Sequence, residues 1–263
     1  MFEIAVLSIL QGIAEFLPIS SSGHLVICQH LLGVNEPGMR LDVCLHAGTL
    51  VSIFVFYAKS IGSMLHGALS PSAAPEKRRE KWHLIFALLV SSIPAVFVYF
   101  VFSDEIKGLF ENVRMVGALL MFTGAILVGT RYIPRSGKRV SLLRAFGMGA
   151  GQAIALLPGV SRSGMTLAAA RIFGVQPEKA AEFSFLMSTP LILGAMLMEV
   201  AKSFGGGAVD ATPWSHLTAG MAIAAVVGYY SLKVLVKALK GKWFWLFGPY
   251  CILAGLATLI FIG

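Results

Sequence analysis

Six uninterrupted apolar runs, at about 41–58, 84–102, 114–130, 180–201, 215–236 and 243–262, constrain this chain more than any other feature. Each approaches the roughly 20 residues an α-helix needs to cross the hydrocarbon of a bilayer. Polar connectors separate them at 59–83, 103–113, 131–144, 202–214 and 237–242. Composition agrees: charged residues are 13% of the 263 and apolar residues 57%. Soluble domains hold about 25% and 45–50%, and a soluble fold with this balance could not cover its core with polar surface. The expected class is all-α and polytopic, with lipid as the solvent.

The formal charge of +8 does not point to nucleic acid. The basic residues lie in connectors between apolar runs, not among aromatic groups that could stack on bases. Cys28, Cys44 and Cys251 sit inside apolar stretches with no paired spacing, so neither a disulfide framework nor a zinc site is expected. Met1-Phe2-Glu3-Ile4 has no basic n-region, so no removable leader is expected.

Two further segments are apolar but broken in the middle. Residues 4–17 run into Pro18-Ile19-Ser20-Ser21-Ser22-Gly23-His24 before 25–32 turn apolar again. Residues 145–157 run into Pro158-Gly159-Val160-Ser161-Arg162-Ser163-Gly164, followed by an apolar stretch to Phe173. Each half is too short to span, so each segment reads as a re-entrant helix–loop–helix hairpin. Irregular backbone at membrane depth is tolerated only where protein or a wet cavity surrounds it. At a constant offset of 141, Gln11, Ile13, Ala14, Ser20, Ser22 and Gly23 meet Gln152, Ile154, Ala155, Ser161, Ser163 and Gly164. That gapless register predicts two repeats, 1–135 and 136–263, each a hairpin plus three spans. An odd number of crossings inverts the second. Lys and Arg distribute accordingly: fourteen fall on one side of that topology, among them Lys77, Arg78, Arg79, Arg131 and Arg135, and only Arg40, Lys107, Arg114 and Lys202 on the other. The richer side is expected in the cytoplasm, and the hairpins then meet near the midplane.

That meeting point gathers groups that are costly in hydrocarbon. Gln11 and Glu15 share a helix face. Ser20, Ser21, Ser22 and His24 open one return helix; Ser161, Arg162, Ser163 and Thr166 open the other. Helix starts offer free N–H groups and a positive dipole end to an anion, and Arg162 adds a planar donor fork suited to phosphate. Ser21 and His24 are three apart, so the imidazole is expected to activate that hydroxyl or a water. Glu15 would orient His24 or help hold a divalent cation. The competing reading of Glu15 with Arg162 is a structural ion pair. His46 reads as a packing residue, and ionisable groups inside spans are functional by default.

Gln11-Gly12-Ile13-Ala14-Glu15-Phe16-Leu17-Pro18-Ile19-Ser20-Ser21-Ser22-Gly23-His24 resembles the first signature of the undecaprenyl-diphosphate phosphatase (bacitracin resistance) family. Pro158-Gly159-Val160-Ser161-Arg162-Ser163-Gly164-Met165-Thr166 resembles the second, and Glu182-Phe183-Ser184-Phe185-Leu186 continues the match. The resemblance implies hydrolysis of undecaprenyl diphosphate to the monophosphate that carries cell-wall precursors. It also implies a divalent cation (Mg or Ca) and a site facing the outer leaflet of the bacterial plasma membrane. Glu15, Ser21, His24 and Arg162 take the catalytic roles, with Glu15 as the metal ligand. Gln11, Ser20, Ser22, Ser161, Ser163 and Thr166 are expected around the phosphates. Gln11 stands where relatives carry Glu or Gln, which weakens any two-carboxylate scheme; Asp42 and Glu182 remain as outer acids. Either Ser21 or His24 is the nucleophile. Expected partners are the membrane, the polyprenyl diphosphate and a second copy of the chain. The rival class is a lipid-phosphate transporter, because inverted repeats with broken helices are the usual transporter signature.

Overall fold

The computed structural model describes residues 2–32, 39–71, 74–204 and 212–262. Parts of the connectors expected at 59–83 and 202–214 lie outside the described residues, as do the side chains of Arg40 and Lys202. All regular structure among the described residues is helical, save one isolated bridge between Lys138 and Val175. The helices are α1 (Phe2–Ala14), α2 (Ser21–Leu32), α3 (Met39–Phe56), α4 (Ala58–Leu69), α5 (Pro75–Phe110) and α6 (Val113–Gly129), then α7 (Leu142–Ile154), α8 (Arg162–Ile172), α9 (Pro177–Phe204), α10 (Trp214–Lys240) and α11 (Phe247–Phe261).

Four described helices are long and apolar enough to cross a membrane: Pro75–Phe110, Val113–Tyr132, Trp214–Lys240 and Phe244–Phe261. The run expected at 41–58 breaks instead at Tyr57: α3 and α4 bend by 70° and form a fifth span only if taken as one. No glycine or proline marks that break. The Tyr57 ring packs against Phe56 and Phe185, at 4.9 and 6.4 Å between centroids, so tertiary packing turns the chain there. Large apolar side chains such as Phe97, Phe100, Leu253 and Ile260 face outward, as suits lipid rather than water. The chain is a multi-pass membrane protein.

Both broken segments form the helix–loop–helix hairpins expected of them, α1–α2 and α7–α8. Ends and starts follow local chemistry. Asn112 caps α6, Ser141 caps α7 and Ser161 caps α8, each side chain accepting an N–H from the first turn. α5 leaves helical geometry at Phe102, where the apolar run 84–102 ends. Long-range packing is by pairs: α1 lies on α10, α7 on α5, α3 on α10, α5 on α9, and α6 on α11. The α6–α11 contact is close because glycines face each other. A Cβ on Gly124 would stand 2.6 Å from the Gly248 carbonyl, and one on Gly117 3.0 Å from that of Gly255. Small residues at such contacts let backbones approach and gain dispersion energy that lipid-exposed surface lacks.

Candidate active site

The two hairpin tips touch. Gly159, at φ 91°, packs so closely that its Cα lies 2.9 Å from where a Cβ on Gly23 would be. Thr123 of α6 pins the second tip by donating to the Gly159 carbonyl (3.0 Å) and accepting the Ser161 N–H (3.1 Å). Ser163 reaches across to donate to the Leu17 carbonyl at 3.3 Å. The first tip is held by Ser20, a non-glycine residue at φ 70° whose hydroxyl accepts the Gly23 N–H. A left-handed serine costs about 1–2 kcal/mol, and it sits beside the reactive groups, where such strain tends to collect.

Glu15 is the hub. Its carboxylate is buried, one oxygen 2.5 Å from Arg162 Nη2 and the other accepting from Ser21 Oγ at 2.8 Å and Gln11 Nε2 at 3.1 Å. The guanidinium lies 5.7 Å from the Phe185 ring centroid, which fixes its plane. His46 of α3 completes the cluster: its Nδ1 stands 3.1 Å from Gln11 Nε2 and 3.8 Å from Glu15 Oε2. The packing role expected for His46 is therefore corrected. Its side chain is 38% exposed, and it faces a cavity with Arg162.

That cavity, about 460 Å³, is mostly apolar, lined by residues such as Val96, Phe100, Leu156 and Met196, with His46, Tyr99, Gln152 and Arg162 among its polar groups. Gln152 is buried and neither side-chain polar atom has a partner among the described residues; Gln11 Oε1 is in the same state. Buried orphan groups beside a cavity call for a ligand or water. Gln152 was visible in the sequence only as the repeat mate of Gln11.

His24 does not pair with Ser21 as expected. Its Nδ1 donates to the Ser20 carbonyl at 2.9 Å, and its Nε2 is 2.8 Å from the Tyr250 hydroxyl of α11. With Nδ1–H committed to a carbonyl, a neutral ring accepts the Tyr250 O–H at Nε2. Ser21 opens α2, so its hydroxyl points back across the break to Glu15 rather than along the helix. Of the residues expected around phosphate, Ser161, Ser163 and Thr166 are buried. Ser161 bonds Ser163 at 3.2 Å, and Thr166 bonds the Arg162 carbonyl and Ser184. Ser20 is buried as well, and Ser22 is half-buried beside it, with 3.3 Å between their hydroxyls. Glu182 is held by Lys179 and Ser60 rather than by a tip residue. Asp42 stands one turn before His46 on α3.

The tips hold no ready-made cage for a divalent cation among the described residues. Both Glu15 oxygens are taken, one by a guanidinium, and among the described residues no three His, Cys, Asp or Glu side chains converge. A Mg or Ca ion at Glu15 would take its remaining oxygen ligands from water and the substrate phosphates.

The profile of the family described as bacitracin resistance protein BacA matches residues 4–257. An undecaprenyl-diphosphatase of Desulfosudis oleivorans is 42% identical over 97% of this chain and 96% of its own length. One of Desulfatibacillum aliphaticivorans is 37% identical over 98% and 97%, and one of Halothermothrix orenii 34% over 100% and 98%. A match of that extent, with both tip motifs inside it, makes this chain a member of the bacitracin resistance protein BacA family.

Proposed function

We propose that the chain hydrolyses undecaprenyl diphosphate, the substrate in its relatives' names, to the monophosphate and phosphate, recycling the cell-wall lipid carrier. The observation that carries this is the Glu15 carboxylate accepting the Ser21 hydroxyl while paired with Arg162, which lines a mostly apolar cavity. The cavity suits a prenyl tail whose phosphate lies at Arg162. There Arg162 and the unpartnered Gln152 amide supply donors. Arriving phosphate draws the guanidinium off Glu15 and leaves that carboxylate free to take the Ser21 proton. Ser21 Oγ then bonds to the terminal phosphorus, the bridging P–O bond breaks, and the lipid monophosphate leaves with the proton. Water then attacks that phosphorus, giving its proton to His24 Nε2 as that nitrogen exchanges the Tyr250 hydroxyl for the water, and phosphate departs as Ser21 Oγ takes a proton back from the imidazolium. Ser20, Ser22, Ser161, Ser163 and Thr166 shape the two helix starts that face the phosphates. A divalent cation, in this reading, travels with the diphosphate rather than residing in the protein, so a chelator is expected to stop turnover without lowering thermal stability.

The topology we favour is six spans and two hairpins in repeats 1–135 and 136–263, the second inverted. Exchanging the repeats turns the α1–α10 contact into α7–α5 and the α3–α10 contact into α9–α5, which supports it. The Lys and Arg bias favours cytoplasmic connectors at 59–83 and 131–144, and a site open toward the outer leaflet of the plasma membrane is what the family resemblance implies. A second copy of the chain remains an expected partner.

Phosphate release by purified protein from a short prenyl diphosphate, with a divalent metal added, tests the reading. Release of one phosphate per lipid is expected. Lipid transfer between leaflets without release would move the transporter to first place.

A further inference from the structure

A second cavity, of about 540 Å³, lies at the opposite end of α8 from Arg162. Arg162 opens that helix and Arg171 lies in its last turn, roughly 14 Å away at 1.5 Å per residue. The cavity is therefore separate from the site above. It forms where the C-terminal ends of α6, α8 and α10 come together before α11 begins.

Four cations line it, Arg131, Arg135, Arg171 and Lys242, and no acidic side chain does so among the described residues. Two of them are partly spent on structure. Arg135 donates to the last carbonyls of α10, at Leu239 and Lys240, and Arg171 donates twice to the Ile133 carbonyl. The three C-terminal ends contribute roughly half a negative charge each and the α9 N-terminus at Pro177 roughly half a positive one, which leaves the cavity net positive. Arg131 and Lys242 supply the excess. The Arg131 guanidinium is held flat over the Trp245 ring, 4.4 Å from its centroid.

Lys242 carries a second, independent signal. Its backbone sits at φ 66°, a left-handed position just past a helix end where glycine is normally found. The adjacent Gly241 has φ −75° and makes no use of its freedom. Left-handed backbone at a residue other than glycine costs about 1–2 kcal/mol, and such outliers gather at functional positions. The floor beneath the cations is apolar, with Leu167, Val175 and Phe244 buried, while Tyr132 and Leu246 stand exposed beside it. Charge above apolar surface, at a helix end flanked by aromatics, is the layout of a membrane–water interface.

We propose that this cavity binds the anionic headgroup of a phospholipid, with Arg131 and Lys242 holding the phosphate and the acyl chains lying along the exposed apolar surface. A soluble phosphate offers the same head chemistry but gains nothing from that surface. The site is independent of the hydrolytic reading, since none of its residues belongs to the hairpin tips.

The test is thermal stability of the purified full chain in neutral detergent, titrated with phosphatidylglycerol, phosphatidylcholine or inorganic phosphate. Phosphatidylglycerol is expected to raise the melting temperature saturably and the other two not. Lys242→Gly removes charge and strain together. It should melt no lower than wild type in detergent alone, yet need about fivefold more phosphatidylglycerol for the same shift. Arg131→Gln should weaken the response similarly, while Arg162→Ala should leave it unchanged and so exclude the substrate cavity. Equal stabilisation by phosphatidylcholine, a full shift from inorganic phosphate alone, or an undiminished response in Lys242→Gly and Arg131→Gln would each overturn the proposal.

Discussion

The two hairpins share a template and differ in what they do with it. At the common offset, Ser20, Ser22 and Gly23 align with Ser161, Ser163 and Gly164, and those residues shape the tips. Three other aligned positions diverge: Glu15 meets Leu156, Ser21 meets Arg162, and His24 meets Met165. The acid, the hydroxyl and one imidazole are thus confined to the first hairpin, and the second tip carries a single cation, Arg162. Glu15 and Ser20 are as buried as Ser161, Ser163 and Thr166, but Ser21, Ser22 and His24 of the first tip are only half-buried, as Arg162 is in the second. One hairpin is reactive and the other is a clamp. A repeat that brings two helix starts together makes an anion site twice over, and changing three residues in one copy turns half of it into a reaction centre.

The sharpest way to break this comparison is at Glu15. Glu15→Gln removes the acceptor of the Ser21 proton and should cut turnover by about 10²–10⁴. It also leaves Arg162 unpaired, and breaking a buried pair costs about 3–5 kcal/mol, less where the cavity still solvates the guanidinium. Glu15→Leu combined with Arg162→Met separates the two effects. Thermal unfolding should return toward wild type in the double variant while phosphate release stays lost. If Glu15→Gln keeps its turnover and loses only stability, the pair is a structural bridge between hairpins.

Arg162→Lys comes next. Lysine keeps the charge but not the planar fork that meets both Glu15 and phosphate. Loss of a charged hydrogen bond of about 1.5–3 kcal/mol corresponds to roughly 13- to 160-fold, read as a rise in KM together with a fall in kcat. Near-normal kinetics would mean that the second hairpin provides charge alone.

His46 should give the smallest effect. Its 3.1 Å contact holds Gln11, which in turn bonds Glu15. His46→Gln can keep that bond and should stay close to wild type. His46→Leu should lose about 2- to 12-fold in kcat/KM. Equal, large losses in both variants would promote His46 to a proton-transfer role.

Much of this architecture was legible in the sequence because membrane physics writes it in long runs. The breaks at Pro18 to His24 and Pro158 to Gly164 were visible as clusters of proline, glycine and hydroxyls inside apolar stretches too short to span. The bend at Tyr57 was not, since rings from α3 and α9 impose it on a sequence without breakers. At the site, residue types were legible and partners were not. Ser21 and His24 suggested a helical pair by spacing, but Ser21 is the first residue of α2 and turns to Glu15. His24 is instead met by Tyr250, 226 residues away. His46, in an ordinary-looking apolar run, acquires its place only when α3 packs against α1.

The division between reactive hairpin and clamp is tested most directly by comparing Ser21→Ala with Ser163→Ala in steady-state phosphate release. Ser163 lies on the second tip and donates to Leu17 at 3.3 Å; Ser21 donates to Glu15 at 2.8 Å. Ser21→Ala is expected to lose nearly all kcat with KM little changed, because the attacking hydroxyl is gone and the phosphate donors remain. Ser163→Ala should retain measurable turnover, lower by about 2- to 12-fold, the worth of one neutral hydrogen bond. Equal and modest losses in the two variants, with His24→Ala inactive, would contradict the assignment of Ser21 as nucleophile and give the attack to His24.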